Sequence, residues 1–124
     1  MKRILLLAAL ATASSAASAQ DVSVTLSEWK MRLSRDTVPA GPVTFQIRNT
    51  GAMSHAVHVT GEGVDKGTRQ IAVKETGTLT LSLKAGTYEV FCPLAEGSHK
   101  MAGMTRTLVV TAAGTPPAGS KPGA

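Results

Sequence analysis

Apolar and polar residues alternate with a period of two along much of this chain, and nowhere does the i, i+3, i+4, i+7 spacing of an amphipathic helix persist. Val22, Val24 and Leu26 alternate with Ser23, Thr25 and Ser27; Val43, Phe45 and Ile47 with Thr44, Gln46 and Arg48; Leu79, Leu81 and Leu83 with Thr78, Thr80 and Ser82. Each run turns one face to a core and one to water, as a half-buried strand does. Shorter runs predict further strands over residues 28–33, 55–60, 68–73, 87–92 and 105–111. Turn-forming clusters separate them at Pro39-Ala40-Gly41-Pro42, Asn49-Thr50-Gly51, Gly61-Glu62-Gly63 and Lys84-Ala85-Gly86. About seven or eight short strands so punctuated predict an all-β fold, an antiparallel β-sandwich or a barrel.

The two ends break the pattern. Met1-Lys2-Arg3, the apolar run from Ile4 to Leu10 and the small residues Ala17-Ser18-Ala19 have the layout of a secretory signal peptide cleaved after Ala19. Its apolar part is far short of the roughly 20 residues that span a bilayer, and no later stretch comes close, so stable membrane insertion is not expected. Residues 113–124 are rich in Gly, Pro and Ala and read as a disordered tail. One domain over residues 20–112 remains, in an exported chain that is secreted or periplasmic.

Charge adds little. The whole chain carries +5; without Lys2 and Arg3 it keeps 11 basic against 8 acidic residues, so +3. The charges are scattered and aromatic residues make up only 3%, which argues against nucleic acid as a partner. The single cysteine is more telling. An exported chain with one cysteine forms no internal disulfide, so Cys92 is a free thiol, half of an intermolecular bridge, or a metal ligand.

The residues downstream of Cys92 favour metal ligation. His99, Met101 and Met104 lie on one predicted loop with it, and a thiolate, an imidazole and a thioether together suit copper. A second imidazole must come from His55 or His58. Alternation sends His55, Val57 and Val59 to one face and His58 to the other; Cys92 shares the inward face with Tyr88 and Val90. Met101 is two residues from His99 and would need a very tight turn to join it, whereas Ala102-Gly103 leaves Met104 room to fold back. Met53 and Met31 read as packing, Tyr88 and Phe91 as core or sheet-face residues, and Trp29 has no assignable chemistry.

The segments Asn49-Thr50-Gly51-Ala52-Met53-Ser54-His55 and Gly86-Thr87-Tyr88-Glu89-Val90-Phe91-Cys92, followed by Pro93, His99 and Met104, resemble the cupredoxins, particularly small bacterial plastocyanin/azurin-like proteins. The resemblance implies a Greek-key β-sandwich and a type 1 copper site, one copper per chain cycling between Cu(I) and Cu(II). It implies His55, Cys92 and His99 as a trigonal ligand set with Met104 as the weak axial ligand. Two features depart from the family: six residues separate Cys92 from His99 where two to four are usual, and Ala56 stands where Asn or Asp often follows the first histidine. The Ala56 N–H can still donate to the Cys92 sulfur; Pro93 has none to give, and Leu94 has one.

The function so implied is that of a monomeric one-electron carrier, not an enzyme, acting between redox partner proteins. Electrons would pass at His99, flanked by Leu94, Ala95, Met101, Ala102 and Met53. The alternative is a periplasmic copper carrier or buffer holding Cu(I) through Met53 with His55 and His99 with Met101. Zinc would accept Cys plus two His, yet only Glu96 offers an acid on the loop. A Cys-His nucleophile lacks an orienting third residue, and a metal-free binding module lacks an exposed aromatic anchor.

Overall fold

The computed structural model describes residues 19–113; the expected signal peptide apart from Ala19, and all but the first residue of the expected tail, lie outside them. Nine strands are formed among the described residues: β1 (Gln20–Ser27), β2 (Lys30–Leu33), β3 (Thr37–Pro39), β4 (Gly41–Asn49), β5 (His58–Gly61), β6 (Val64–Gly67), β7 (Thr76–Leu83), β8 (Gly86–Phe91) and β9 (Thr105–Thr111). They make two sheets, one ordered β2-β1-β4-β7 and the other β3-β9-β8-β5-β6. No helix among the described residues is long and apolar enough to cross a membrane.

The period-two pattern decides which faces meet. Val22, Val24 and Leu26 of β1 and Val43, Phe45 and Ile47 of β4 point inward from the first sheet; Tyr88, Val90, Val59, Leu108 and Val110 answer from the second. All of these are at most 3% exposed, so the core between the sheets is closed to bulk solvent. The aromatic payload is small, with Phe45 and Tyr88 the largest fully buried side chains, after which Leu, Ile, Met and Val fill the space.

Strand pairing refines the expected antiparallel scheme. β4 pairs with β7 and β5 with β8, so the chain crosses repeatedly between sheets, as Greek-key connections do. Both sheets are nevertheless mixed. β1 runs parallel to β4, Val24 opposite Ile47, and the short β3 runs parallel to β9. Side-chain alternation is the same in either direction, so the sequence pattern carries no information on this choice.

Two predicted strands differ. Residues 68–73 form no strand; only Ile71 bridges His55, exchanging two backbone hydrogen bonds of 2.8 and 3.1 Å. The strand expected from residue 55 begins at His58, and the segment before it buries His55, Ala56 and Val57 in succession. Packing on both sides, against Cys92 and against the 68–73 segment, replaces the simple alternation there.

Candidate metal centre

Three loops converge at one end of the sandwich. The first, residues 50–57, links β4 to β5 and carries His55. Its shape is set by Asn49, a fully buried amide at the end of β4. The Asn49 Nδ2 donates to the carbonyls of Met53 and Ile71, 2.9 Å each, and its Oδ1 accepts from the Gly51 N–H at 2.9 Å. The side chain thereby stands in for missing strand partners, as a buried polar group must.

The second loop begins where β8 ends. Cys92 continues the inward face of Tyr88 and Val90 and is wholly buried. Ala95, Glu96 and Gly97 then take left-handed conformations, φ 54°, 55° and 89°, before the single helical turn α1 (Ser98–Met101) presents His99. The unusual length between Cys92 and His99 is thus taken up by a left-handed turn and a helical one. Two of those left-handed residues carry a Cβ, a conformation that costs each on the order of 1–2 kcal/mol.

Met104 closes the same loop. Its N–H donates to the His99 carbonyl at 3.1 Å, its own carbonyl accepts from the Cys92 N–H at 3.0 Å, and its side chain is fully buried. Gly103 makes the approach possible at φ 132°, where a Cβ would lie 2.6 Å from the Trp29 carbonyl. Met101, in contrast, is 89% exposed.

These loops gather His55, Cys92 and His99 so that one ligand atom from each lies within 4.8 Å of the others. Cys92 Sγ is 3.7 Å from His99 Nδ1, and the two imidazole centroids are 5.2 Å apart. The Ala56 N–H, 3.4 Å away, donates to the sulfur, as the sequence allowed. His58 sits elsewhere. It faces away on β5, beside Phe91 and hydrogen-bonded to the exposed Asp65.

The donor set fits a metal on one observation above the others. His55 Nδ1 is buried with no hydrogen-bond partner, the only such side-chain polar atom among the described residues. An orphaned imidazole nitrogen is costly unless something binds it. Thiolate and imidazole are the donors that copper prefers.

The β1–β2 turn, residues 28 and 29, joins the site without having been expected there. Glu28 reaches the other nitrogen of His55, Nε2, at 3.2 Å. Trp29, at φ 62°, packs edge-on against His99 with centroids 5.1 Å apart. Partial burial pushes the Glu28 carboxyl up, but donors from the Ala52 N–H, its own N–H, His55 and the Met53 N–H outweigh this and hold it below the ordinary glutamate value. Nothing in the period of the strands marks this pair. The only signal is an acid and a tryptophan placed together at a hairpin tip.

Solved structures share the fold. Auracyanin A, a "blue" copper protein from Chloroflexus aurantiacus, aligns with TM-score 0.59 and 19% identity over 76% of this chain and 100% of its own. Rusticyanin from Thiobacillus ferrooxidans aligns at 0.56 and 19% over 76% and 79%. The copper nitrite reductase of Nitrosomonas europaea aligns at 0.60 and 16%, over 77% of this chain but 42% of the enzyme. No curated protein matches at the level of sequence. A family model, the cupredoxin-like domain, matches residues 2–110. The chain therefore belongs to the cupredoxin-like family, and its cluster of one thiol and two imidazoles indicates one copper per chain.

Proposed function

We propose that this protein is an exported type 1 copper protein that carries single electrons, with His55, Cys92 and His99 as strong ligands and Met104 as the weak axial one. The observation that carries the reading is the buried convergence of Cys92 with two imidazoles, one holding a buried nitrogen free. Bound copper would supply a one-electron couple between Cu(II) and Cu(I). The chain's own part is to keep the donors still. Cys92 and Met104 are tied by backbone hydrogen bonds to each other and Met104 to His99, and Asn49 fixes the His55 loop. Little rearrangement would then accompany a change of charge.

Exchange with partner proteins is assigned to the His99 end. His99 is 9% exposed, and the exposed Trp29, Met53 and Met101 belong to the loops that carry or touch the two histidines. Such a small apolar surface suits brief docking by redox partners to a monomer. Export, with cleavage after Ala19, follows from the sequence of the first 19 residues and would be read by mass spectrometry of the mature protein. The copper-buffer alternative draws on the exposed Met53 and Met101, but a Cu(I) store has no need of a wholly buried thiolate.

The test is the absorption spectrum of the Cu(II)-loaded protein. Intense visible colour from thiolate-to-copper charge transfer is expected; Cys92→Ser and His55→Ala should abolish it, and His58→Ala should leave it nearly unchanged. A colourless copper-loaded wild type, or colour that survives Cys92→Ser, would overturn the type 1 reading and favour the buffer.

A further inference from the structure

From the hydrogen bonds around Glu28 we infer that this carboxylate is a positioning residue for the metal site, holding His55 in the Nε2–H tautomer and, by its charge, favouring the oxidised state of bound copper. The inference rests on the ligand set proposed above, and adds to it a residue outside that set.

The geometry is specific to the carboxylate. Its Oε1 accepts from the Ala52 N–H at 2.7 Å and the Met53 N–H at 3.1 Å, and lies 3.2 Å from His55 Nε2. Two fixed backbone donors thus fasten the carboxylate before it meets the imidazole. It also lies over the bare Cα of Gly51, where a Cβ would come within 2.5 Å of Oε1. A side chain at position 51 would therefore displace it. The carboxylate is only 30% exposed and His55 is wholly buried, so water competes weakly for the contact.

An acceptor at Nε2 decides the tautomer. Neutral imidazole carries one proton, and a carboxylate at one nitrogen draws it there, leaving the other with a free lone pair. That other nitrogen is the orphaned Nδ1. Carboxylate pairing also raises the basicity of a ligating imidazole, and outer partners of this kind commonly change metal affinity or activity by about 10- to 100-fold. A negative charge one imidazole ring from the donor atom favours the more positive metal state. Glu28 is thus placed to lower the reduction potential.

Glu28→Gln keeps the shape and the acceptor oxygen while removing the charge, and Glu28→Ala removes both. In the metal-free protein at pH 8, nitrogen-15 NMR should find wild-type His55 as the single Nε2–H tautomer and Glu28→Ala as a mixture. In the copper-loaded protein, Glu28→Gln should keep its colour while the Cu(I)-to-Cu(II) ratio at fixed potential rises about tenfold, a shift of ~59 mV for one electron. Glu75→Gln, which removes a carboxylate from the exposed residue just before β7, should move it far less. Mixed tautomers in the wild type, a Glu28→Gln potential no higher than that of Glu75→Gln, or loss of colour in Glu28→Gln would each overturn the assignment. A colourless wild type would instead overturn the ligand set, and the metal-free tautomer measurement would still decide the role of Glu28 in orienting His55.

Discussion

Met101 and Met104 flank the end of one helical turn and have opposite surroundings. Met101 projects into water at 89% exposure, while Met104 is fully buried with its backbone bonded to both His99 and Cys92. The Met104 thioether is thereby kept out of water on the loop that carries Cys92 and His99. Replacing Met104 with Leu should therefore retain the charge-transfer colour and raise the potential, because Cu(II) loses more than Cu(I) when a weak donor is withdrawn. The same change at Met101 should alter neither spectrum nor voltammogram. A shift confined to Met101→Leu would transfer the axial role to it.

At the scale of elements, β8 is pinned at one end by chemistry unrelated to the metal. The Tyr88 hydroxyl donates to the Lys84 carbonyl at 2.7 Å, closing the β7–β8 turn over a ring that is 1% exposed. Burial first, and the nearby Glu62 carboxylate second, push the phenol above its ordinary value. The unfolded chain thus releases this proton at lower pH than the folded one. Tyr88 contributes fully below about pH 10, the ordinary tyrosine value, and its contribution falls as pH rises from there toward the raised folded value. Tyr88→Phe should cost about 1 kcal/mol at pH 7 through the lost hydrogen bond. In urea titrations the gap between wild type and variant should narrow above about pH 10; a gap that stays constant through that range would remove the phenol from the account.

In the whole molecule the site joins the two sheets. His55 lies on the crossing from β4 to β5, Cys92 directly follows β8, Met104 precedes β9, and Glu28 and Trp29 come from the first sheet's β1–β2 turn. A metal there would bind the folded chain and not the unfolded one, and so stabilise the entire domain. At free metal about 1,000 times the dissociation constant this linkage is worth about 4 kcal/mol. For a domain of this size each 1 kcal/mol moves the thermal midpoint by roughly 4–8 °C. Calorimetry of copper-loaded and chelator-treated protein should show the midpoint falling on metal removal; coincident transitions would mean that the site is not coupled to the fold.

Much of the fold was legible because burial in a sandwich writes itself as a period of two. Val22, Val24 and Leu26, or Val43, Phe45 and Ile47, announce both their strands and their inward faces. Cys92, His99 and Met104 within one short span nominated copper, since soft and imidazole donors together have few other uses, and the resemblance to the cupredoxins implied His55 as the second imidazole. Strand direction, with β1 parallel to β4 and β3 to β9, was not legible, because alternation reads the same in both senses. Nor was the loss of a strand at 68–73, where a single bridge from Ile71 supports the His55 loop instead. Glu28 and Trp29 stand 27 and 70 residues from the histidines they contact. Their meeting is a product of long-range packing, on which the spacing of residues along the chain has no bearing; local periodicity determined the strands, and only the tertiary structure decided which loop ends would share the site.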